Sequence, residues 1–258
     1  MNALEGRTAV VTGGGTGIGR AIACDFAAAG ADVVVVGRRM APLEDVVAQI
    51  ERAGGSASAQ TCDLTDANAT ETLAQSLLSA HSTIDILINN AGFSSKIRSA
   101  KYIGAEEWRA VMDVNTLGPA ILTRALLPSM IEQGTGDVIM ISSMAALRPS
   151  VMAGVVYSAA KSAARAYMEV LSAEVRPHGI RCITVFPGEV DTPILDNRAL
   201  PPDDAKRALM MMPEDISAAV LMAVSLPRRA TVTEIAIGAT HPRDLSLDIE
   251  AAMTKQKS

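Results

Sequence analysis

Tyr157 and Lys161 stand four residues apart in the segment YSAAK, and together they could exchange a proton with a substrate. If the segment is helical, both side chains lie on one face, because residues four apart are neighbours on a helix. A free phenol has a pKa of about 10, and a nearby ammonium group favours the phenolate. We therefore predict that Lys161 tunes Tyr157 towards the working pH as a general acid and base. The same spacing also fits an ordinary amphipathic contact.

Two further polar residues could serve the same reaction. Ser143 ends the segment DVIMISS, which places its hydroxyl at the carboxyl edge of a predicted sheet, although serine there is often only a turn residue. Asn115 interrupts an otherwise apolar helical pattern in WRAVMDVNTLG. A buried amide needs hydrogen-bond partners and commonly kinks or opens the helix, whereas a solvent-facing asparagine does not. With Tyr157 and Lys161, these are the candidate catalytic residues.

A glycine-rich turn follows the first apolar run of the chain. The segment VVTGGGTGIGRAIA holds five glycines within seven positions, between a strand-like run and an alanine-rich helical pattern. Such a turn lets backbone amides approach a pyrophosphate, and the dipole of the following helix favours the anion. A flexible surface loop is the alternative. The cofactor-binding residues predicted here are Thr12, Gly13, Gly15, Thr16, Gly17, Ile18 and Gly19.

The second strand-like run, ADVVVVGRRM, ends in Gly37, Arg38 and Arg39. Enzymes that bind NAD place an acidic residue here to accept hydrogen bonds from the adenosine ribose, and Asp32 lies at the wrong end of the strand to do so. An acid would repel the 2′-phosphate of NADP, whereas a guanidinium binds it with charge-assisted hydrogen bonds. We predict an NADP(H) preference, with Arg38 on the phosphate and Arg39 stacked on adenine or facing solvent. The alternative is that both arginines merely solvate a loop.

These residues need a fold that brings distant strand ends together. Short β-branched runs alternate along the chain with longer alanine- and leucine-rich stretches of helical period. Strands in this order pair in parallel and are buried by helices on both faces. We predict one α/β domain, 1–258, with a doubly wound, seven-stranded parallel Rossmann sheet. Its cofactor half covers about 1–140, an irregular substrate loop covers 188–212, and the charged tail, 240–258, is a candidate for a flexible segment.

The order of the motifs resembles the short-chain dehydrogenase/reductase family from residue 7 to about residue 237. TGxxxGxG begins at Thr12 in place of the common GxGxxG spacing, YxxxK begins at Tyr157, and NNAG and PGxVxT segments lie between and after them. The resemblance implies further cofactor contacts at Asp63, Leu64, Asn90, Ala91, Gly92, Pro187, Gly188, Val190 and Thr192, besides Tyr157 and Lys161. Asp63 would face the adenine, or would alternatively lead into a helix capped by Thr65.

The same resemblance implies the catalytic roles. Its ISS pattern assigns to Ser143 a hydrogen bond to the reacting oxygen, and its matching asparagine, Asn115, supports a water that links Lys161 to solvent. The family usually places this serine thirteen residues before the tyrosine, whereas Ser143 precedes Tyr157 by fourteen. A one-residue insertion would account for the difference, and Ser142 is the alternative.

Together these features predict an enzyme that transfers a hydride between NADP(H) and the carbonyl or alcohol carbon of a small substrate, with Tyr157 as general acid and base. The substrate pocket is expected between segments 93–103, 144–156 and 189–212, where three methionines, 210–212, predict a mainly apolar substrate. One alternative is an NAD-preferring alcohol or hydroxy-acid dehydrogenase, which the ending TEIAIGATHPRD resembles. The other is a cofactor-binding regulator without catalysis.

Composition excludes several other classes of protein. The 258 residues carry a net charge of −5 with scattered lysines and arginines, so no nucleic-acid partner is expected. Three separated cysteines and three histidines form no metal-ligand motif and indicate reduced thiols in the cytoplasm. No apolar run suits a membrane span, and the first strand begins too early for a signal peptide.

A homodimer or homotetramer is expected, because helices around 105–130 and 155–175 pair subunits in the family resembled.

Overall fold

The computed structural model describes residues 3–255, and the seven strands in this part of the chain form one sheet. They are β1 (Thr8–Thr12), β2 (Asp32–Gly37), β3 (Ser56–Thr61), β4 (Ile86–Asn89), β5 (Gly136–Ile141), β6 (Ile180–Pro187) and β7 (Glu234–Ile237). Every neighbouring pair is parallel, and the order across the sheet is β3-β2-β1-β4-β5-β6-β7. The predicted doubly wound, seven-stranded parallel sheet in a single α/β domain is confirmed.

Helices connect the strands and cover both faces of the sheet. They are α1 (Gly17–Ala28), α2 (Met40–Arg52), α3 (Ala67–Ala80), α4 (Ala105–Met112), α5 (Gly118–Gln133), α6 (Met144–Leu147), α7 (Val155–Val175), α8 (Asp204–Arg207), α9 (Pro213–Ser225) and α10 (Ser246–Met253). One core lies between the sheet and α1, α2 and α9, and a second lies between the sheet and α3, α5 and α7. Because side chains alternate along a strand, Val11 faces the first core and Val10 the second. Between residues 3 and 255, no helix is both long and apolar enough to cross a membrane.

The winding direction of the sheet reverses between β1 and β4. The carboxyl ends of these two strands form the topological switch point, where open α/β sheets bind ligands. The predicted site residues follow the ends of several strands: the glycine turn follows β1, Arg38 follows β2, Asn90 follows β4, Ser143 follows β5, and Pro187 ends β6. The topology therefore collects residues from distant parts of the chain at one edge of the sheet.

The helical stretch predicted over 105–130 is divided at Asn115. α4 ends at Met112, a π-helical turn covers Asp113–Leu117, and α5 follows. Asn115 Nδ2 donates hydrogen bonds to the carbonyl oxygens of Val111, 2.8 Å away, and Phe93, 2.9 Å away. In a regular α-helix, the carbonyl of Val111 would bond the backbone amide of Asn115, so this side-chain bond favours a wider turn. The helix therefore opens at the residue where opening was expected.

The tail at 240–258, a candidate for a flexible segment, contains α10. Arg243 joins this helix to the substrate loop, because its guanidinium pairs with Asp248, 2.9 Å away, and with Glu189, 2.7 Å away. Asp248 is buried, which shields its ion pair from solvent. These contacts explain why the charged tail is helical over Ser246–Met253. The end of the tail, 256–258, lies outside the described residues.

Candidate active site

Two adjoining cavities lie along the carboxyl edge of the sheet. The larger measures about 340 Å³ and the smaller about 170 Å³, and Gly13, Thr16, Ala91 and Gly92 line both. The other predicted residues that line the larger cavity are Gly17, Ile18, Asn90, Asn115, Ser143, Tyr157, Lys161, Pro187, Gly188, Val190 and Thr192. Those that line the smaller cavity are Thr12, Gly15, Arg38, Arg39, Asp63 and Leu64.

Gly19 was predicted to bind the cofactor but lines neither cavity. A Cβ on Gly19 would lie 2.3 Å from the carbonyl oxygen of Gly13 and 2.5 Å from Asn90 Nδ2. The missing side chain therefore lets α1 pack closely against the glycine turn. Gly19 therefore shapes the turn, and other residues of the turn form the surface of the cleft.

Hydrogen bonds behind the glycine turn hold it in position. The Thr12 hydroxyl is fully buried, donates to the carbonyl of Ile88 and accepts from the backbone amides of Asn90 and Ala91. The Asn90 side chain donates to the Thr12 carbonyl, 2.9 Å away. Thr12, predicted as a cofactor contact, thus uses its hydroxyl within the protein and ties the end of β1 to the end of β4.

The front of the turn fits a dinucleotide pyrophosphate. Gly13 and Gly17 have φ values of 64° and 52°, in the left-handed region that favours glycine. A Cβ on Gly17 would lie 3.1 Å from Thr192 Cγ2, so a side chain there would press against the opposite wall. α1 begins at Gly17, and the first amides of a helix have no partner within it. These amides can therefore bind an anion in the cleft.

The smaller cavity has a cationic rim. Arg38 and Arg39 are exposed, and neither side chain makes a hydrogen bond or ion pair with another residue in 3–255. Asp63 lies beside them, and its carboxylate accepts hydrogen bonds from the Thr65 amide and hydroxyl. These bonds, followed by the charge of Arg38, lower the pKa of Asp63. Asp66, rather than Thr65, caps α3, so the helix-cap alternative was wrong about the capping residue.

Tyr157 and Lys161 lie one turn apart on α7, in the larger cavity. Lys161 Nζ is 5.6 Å from the centre of the Tyr157 ring and donates a hydrogen bond to the carbonyl of Ile141, 2.9 Å away. Burial lowers the pKa of Lys161 to about 8. The lysine is therefore close to its titration point at neutral pH, which suits a group that gains and loses a proton.

The pKa of Tyr157 is raised above its usual value, and not lowered as we predicted. Burial is the largest cause, because it disfavours the charged phenolate. A hydrogen bond from Ser143 opposes this effect, as do the positive charges of Arg98 and Arg198. The predicted direction was wrong because a sequence motif contains no information on how deeply the phenol is buried.

The two candidate serines face different partners. Ser143 forms the hydrogen bond with Tyr157, and it also caps α6 by accepting from the Ala145 amide. Ser142 is buried and donates its hydroxyl to the carbonyl of Lys161, 3.2 Å away. Ser143, fourteen residues before Tyr157, is therefore the serine beside the phenol. Ser142 lies between β5 and α7 instead.

Asn115 lines the larger cavity beside Gly92. Its amide nitrogen is used by the two carbonyl oxygens that accompany the π-helical turn, whereas its buried Oδ1 accepts no hydrogen bond from a residue in 3–255. A Cβ on Gly92 would lie 2.7 Å from this Oδ1 and 3.4 Å from Lys161 Nζ. The free acceptor of Asn115 and the ammonium group of Lys161 therefore both border the space that the missing side chain of Gly92 leaves open.

This arrangement joins an anion-binding turn to a serine, a tyrosine and a lysine in one cleft. Residues 7–202 match the family model for short chain dehydrogenases, which covers more than half of the chain. The chain belongs to the short-chain dehydrogenase family.

Individual members of the family support this assignment. A short chain dehydrogenase from Pseudocercospora fijiensis is 37% identical over 193 residues, 73% of this chain and 61% of that protein. An uncharacterized oxidoreductase from Staphylococcus aureus is 34% identical over 92% of this chain and 99% of its own. A metagenomic short-chain oxidoreductase in complex with NADP is similar in structure, with a TM-score of 0.81 and 32% identity over 93% of this chain and 100% of that chain. The short-chain dehydrogenase described here is thus an oxidoreductase with an NADP-bound structural neighbour.

All three segments expected to wall the substrate pocket of this dehydrogenase line the larger cavity. The three methionines at 210–212, however, are not among the lining residues. Met210 and Met211 are buried, Met211 within the core beside α9, and Met212 is exposed. These residues were therefore the wrong basis for an apolar pocket. The apolar side chains that do line the cavity include Met144 and Met152.

Two arginines of the cavity were not recognised from the sequence. Arg98 follows β4 by nine residues, and Arg198 lies in the substrate loop. Both segments were expected to wall the pocket, but a loop has no periodicity that would single out one residue as inward-facing. A cationic residue in a predicted pocket wall is the available signal, but the sequence does not show whether a carboxylate pairs with it, as Glu189 does with Arg198.

Proposed function

We propose that this dehydrogenase transfers a hydride reversibly between NADP(H) and the carbonyl or alcohol carbon of a small substrate. The observation that carries the proposal is the position of Ser143, Tyr157 and Lys161 in the cavity that also contains the glycine turn. Among these residues the serine is hydrogen-bonded to the phenol, and the lysine lies under the same ring. Proton transfer to an oxygen beside a dinucleotide is the chemistry that this set of groups can perform.

In the reductive direction, Ser143 and Tyr157 would hydrogen-bond the carbonyl oxygen of the substrate. Bound NADPH supplies a hydride. Tyr157 would donate its proton to the oxygen as negative charge develops there, and its raised pKa keeps the phenol protonated at neutral pH. Lys161 would hold the nicotinamide ribose hydroxyls and return a proton to Tyr157. Its own proton would come from a water held at Asn115, whose free Oδ1 can accept a hydrogen bond.

The preference for NADP(H) is supported at the tip of β2. Arg38 is exposed, lacks a bonded partner among residues 3–255 and lines the smaller cavity with Arg39 and Asp63. A guanidinium without a partner is available to bind the 2′-phosphate, while Gly37 provides no carboxylate for the ribose of NAD. The NADP bound to the metagenomic relative agrees with this choice. The alternative remains an NAD-preferring alcohol or hydroxy-acid dehydrogenase.

We propose a substrate whose body is mainly apolar. Met144, Met152, Ile194 and Leu195 line the larger cavity together with Ser143 and Tyr157. Methionine adapts to irregular apolar shapes, so these walls suit an aliphatic group attached to the reacting carbon. A cofactor-binding regulator would not need a serine hydrogen-bonded to a tyrosine above a buried lysine, and this combination therefore favours the enzyme.

The decisive experiment is a screen of carbonyl compounds and alcohols with NADPH, NADP, NADH and NAD, followed by the absorbance of the reduced nicotinamide. We expect oxidation of NADPH by aliphatic ketones or aldehydes, with slower oxidation of NADH. Tight binding of NADPH without turnover of any compound in either direction would favour the regulator. Faster turnover with NADH would favour the NAD-preferring alternative.

We also propose a homodimer or homotetramer that forms through α4, α5 and α7. Trp108, Val155 and Val170 on these helices, and Leu117 between α4 and α5, are exposed large apolar residues. Exposed apolar residues that cluster on neighbouring helices favour association. Size-exclusion chromatography with light scattering should give a mass two or four times that of the chain. A monomer at micromolar concentration would contradict the proposal.

A further inference from the structure

Arg98 is a buried cation at the wall of the substrate cavity. Only 6% of its surface is exposed, and it lines the cavity together with Ser94, Ala153 and Arg198. Its Nη1 donates to the carbonyl of Ala153, 2.8 Å away, and its Nη2 donates to the Ser94 hydroxyl, 3.0 Å away, and to the carbonyl of Asn197, 3.2 Å away. The guanidinium therefore touches all three segments that wall the cavity.

The backbone is shaped to make room for this side chain. Gly154 has a φ of 85°, and a Cβ there would lie 2.8 Å from Arg98 Cδ and 3.0 Å from Arg98 Cα. Glycine at this point, immediately before α7, lets the stem of Arg98 pass behind the segment that carries Tyr157. The arginine is thus built into the wall of the cavity.

No carboxylate pairs with Arg98 among residues 3–255, and its buried Nε has no hydrogen-bond partner there. The titratable groups that act on Arg98 are Arg198 and Tyr157. Burial and then Arg198 lower the pKa of Arg98 to about 10. Arg198 pairs with two carboxylates, Glu189 at 2.5 Å and Asp248 at 3.9 Å, and Arg243 pairs with both of them. The unpaired charge at this wall is therefore that of Arg98.

Cationic side chains outnumber acidic ones in the lining of the cavity. Its ionisable lining residues, other than Tyr157, are Arg98, Arg148, Lys161, Arg198 and the single acid Glu189. Burying an unpaired charge is costly, and two guanidinium groups that act on one another add repulsion. A purely structural clasp explains the three hydrogen bonds of Arg98 but not its charge, because carbonyl and hydroxyl oxygens do not neutralise a cation.

We propose that the substrate carries a carboxylate, which binds at the cationic wall formed by Arg98 and Arg198. A carboxylate matches the planar fork of a guanidinium and would neutralise the excess charge. The inference rests on the proposed function, and it narrows the substrate to an oxo acid and the corresponding hydroxy acid with an aliphatic body. On reduction, the carbonyl carbon gains a hydride from NADPH and the oxygen gains a proton from Tyr157, while the carboxylate is unchanged.

The binding test uses an unreactive pair of probes, pentanoate and pentanamide, titrated calorimetrically into the NADPH-bound protein. The two probes have the same chain and differ in charge, so their ratio of affinities reports the anion site and does not depend on turnover. We expect pentanoate to bind at least about tenfold more tightly, as one charge-assisted hydrogen bond would give. Arg98→Gln and Arg198→Gln should each reduce this ratio severalfold.

Two further variants, together with Arg198→Gln, separate an anion site from a structural clasp. Arg98→Lys keeps the charge and loses the fork, so it should retain more of the preference for pentanoate than Arg98→Gln does. Arg198→Gln leaves all three hydrogen bonds of Arg98 in place, and it therefore provides the test if the Arg98 variants do not fold. Arg229→Gln removes an exposed arginine of the turn before β7 and should leave the ratio unchanged.

Equal binding of pentanoate and pentanamide, or no binding of either probe to protein that binds NADPH, would overturn the anion site. So would a preference that persists in Arg98→Gln and Arg198→Gln. None of these results would affect the proposed hydride transfer, which the cofactor and substrate screen tests separately. Failure of the protein to bind NADPH would instead contradict the proposed function itself.

Discussion

Gly92 packs against Asn115 so closely that a Cβ on Gly92 would lie 2.7 Å from Asn115 Oδ1. The same Cβ would lie 3.4 Å from Lys161 Nζ, and Gly92 lines both cavities of the cleft. One glycine therefore keeps open the space shared by the proposed cofactor site, the lysine and the free acceptor of the asparagine. The backbone conformation does not require glycine here, so its small size is the relevant property.

Gly92→Ala should lower both stability and turnover. The added methyl group would displace the buried Asn115 amide, and overpacking of this kind costs about 1–3 kcal/mol. Urea unfolding would measure the loss of stability, and NADPH titration would measure the loss of cofactor affinity. Gly104→Ala is the matched control, because a Cβ there meets nothing within 4 Å. Equal behaviour of the two variants would show that the space beside Asn115 is not limiting.

Tyr157→Phe should bind NADPH normally but lose about 10²–10⁴-fold in turnover, the usual contribution of a general acid and base. The ring and its contact with Lys161 would remain, and only the hydroxyl that exchanges the proton would be absent. Steady-state kinetics with an active substrate from the screen would measure the effect. Ser162→Ala, which removes a partly buried hydroxyl of α7 outside the lining of the cavity, is the control. Turnover near that of the wild type would remove Tyr157 from the mechanism.

Arg38→Ala should weaken the use of NADPH by roughly 10–100-fold and leave that of NADH nearly unchanged, because charge-assisted hydrogen bonds contribute about 1.5–3 kcal/mol. The Michaelis constants for the two cofactors provide the measurement. Arg52→Ala removes an exposed arginine at the end of α2 and should change neither constant. An equal loss for NADPH and NADH would mean that Arg38 does not recognise the 2′-phosphate.

Asp137→Asn should destabilise the fold by about 3–5 kcal/mol, because it leaves buried arginine charge uncompensated. Asp137 is fully buried at the start of β5, where Arg181 lies 2.6 Å and Arg228 2.8 Å from its carboxylate. The cluster lies at the amino edge of the sheet, opposite the cleft. Urea unfolding near neutral pH would measure the change in the free energy of unfolding. Asp45→Asn, at an exposed position of α2, is the control. Equal stability of both variants would show that the cluster contributes little.

The free energy of unfolding of the wild-type protein should also fall in acid because Asp137 becomes protonated. Burial alone would raise the pKa of Asp137, but hydrogen bonds from Arg181 and Arg7 outweigh it and lower the pKa. The stabilisation by ionised Asp137 is therefore complete above about pH 3.9, the pKa of the residue in the unfolded chain. It is lost as the pH falls through the lower pKa of the folded protein. Unfolding free energies between about pH 6 and pH 3 should thus decline more steeply for the wild type than for Asp137→Asn. Parallel curves would contradict the pKa shift.

Much of the fold and of the cleft could be predicted from local patterns. The alternation of β-branched runs with helical periods indicated the parallel sheet, because strand and helix periodicities differ over a few residues. The glycine turn, Asn115, Tyr157 and Lys161 lie in short motifs at strand or helix ends, and parallel strands bring those ends to one edge. The predicted residues therefore line the cleft, apart from Gly19, even though they span most of the chain.

Local sequence patterns were sufficient to predict the family, the sheet and the order of the motifs, since these depend on residues that are near one another in the chain. Tertiary structure decided which serine contacts Tyr157 and whether the pKa of the phenol rises or falls. It also decided that Arg98 is buried in the wall of the cavity, where contacts such as its hydrogen bond to the carbonyl of Asn197, 99 positions away, hold it. Burial and charge balance depend on all the elements that surround a group, and no local pattern contains that information.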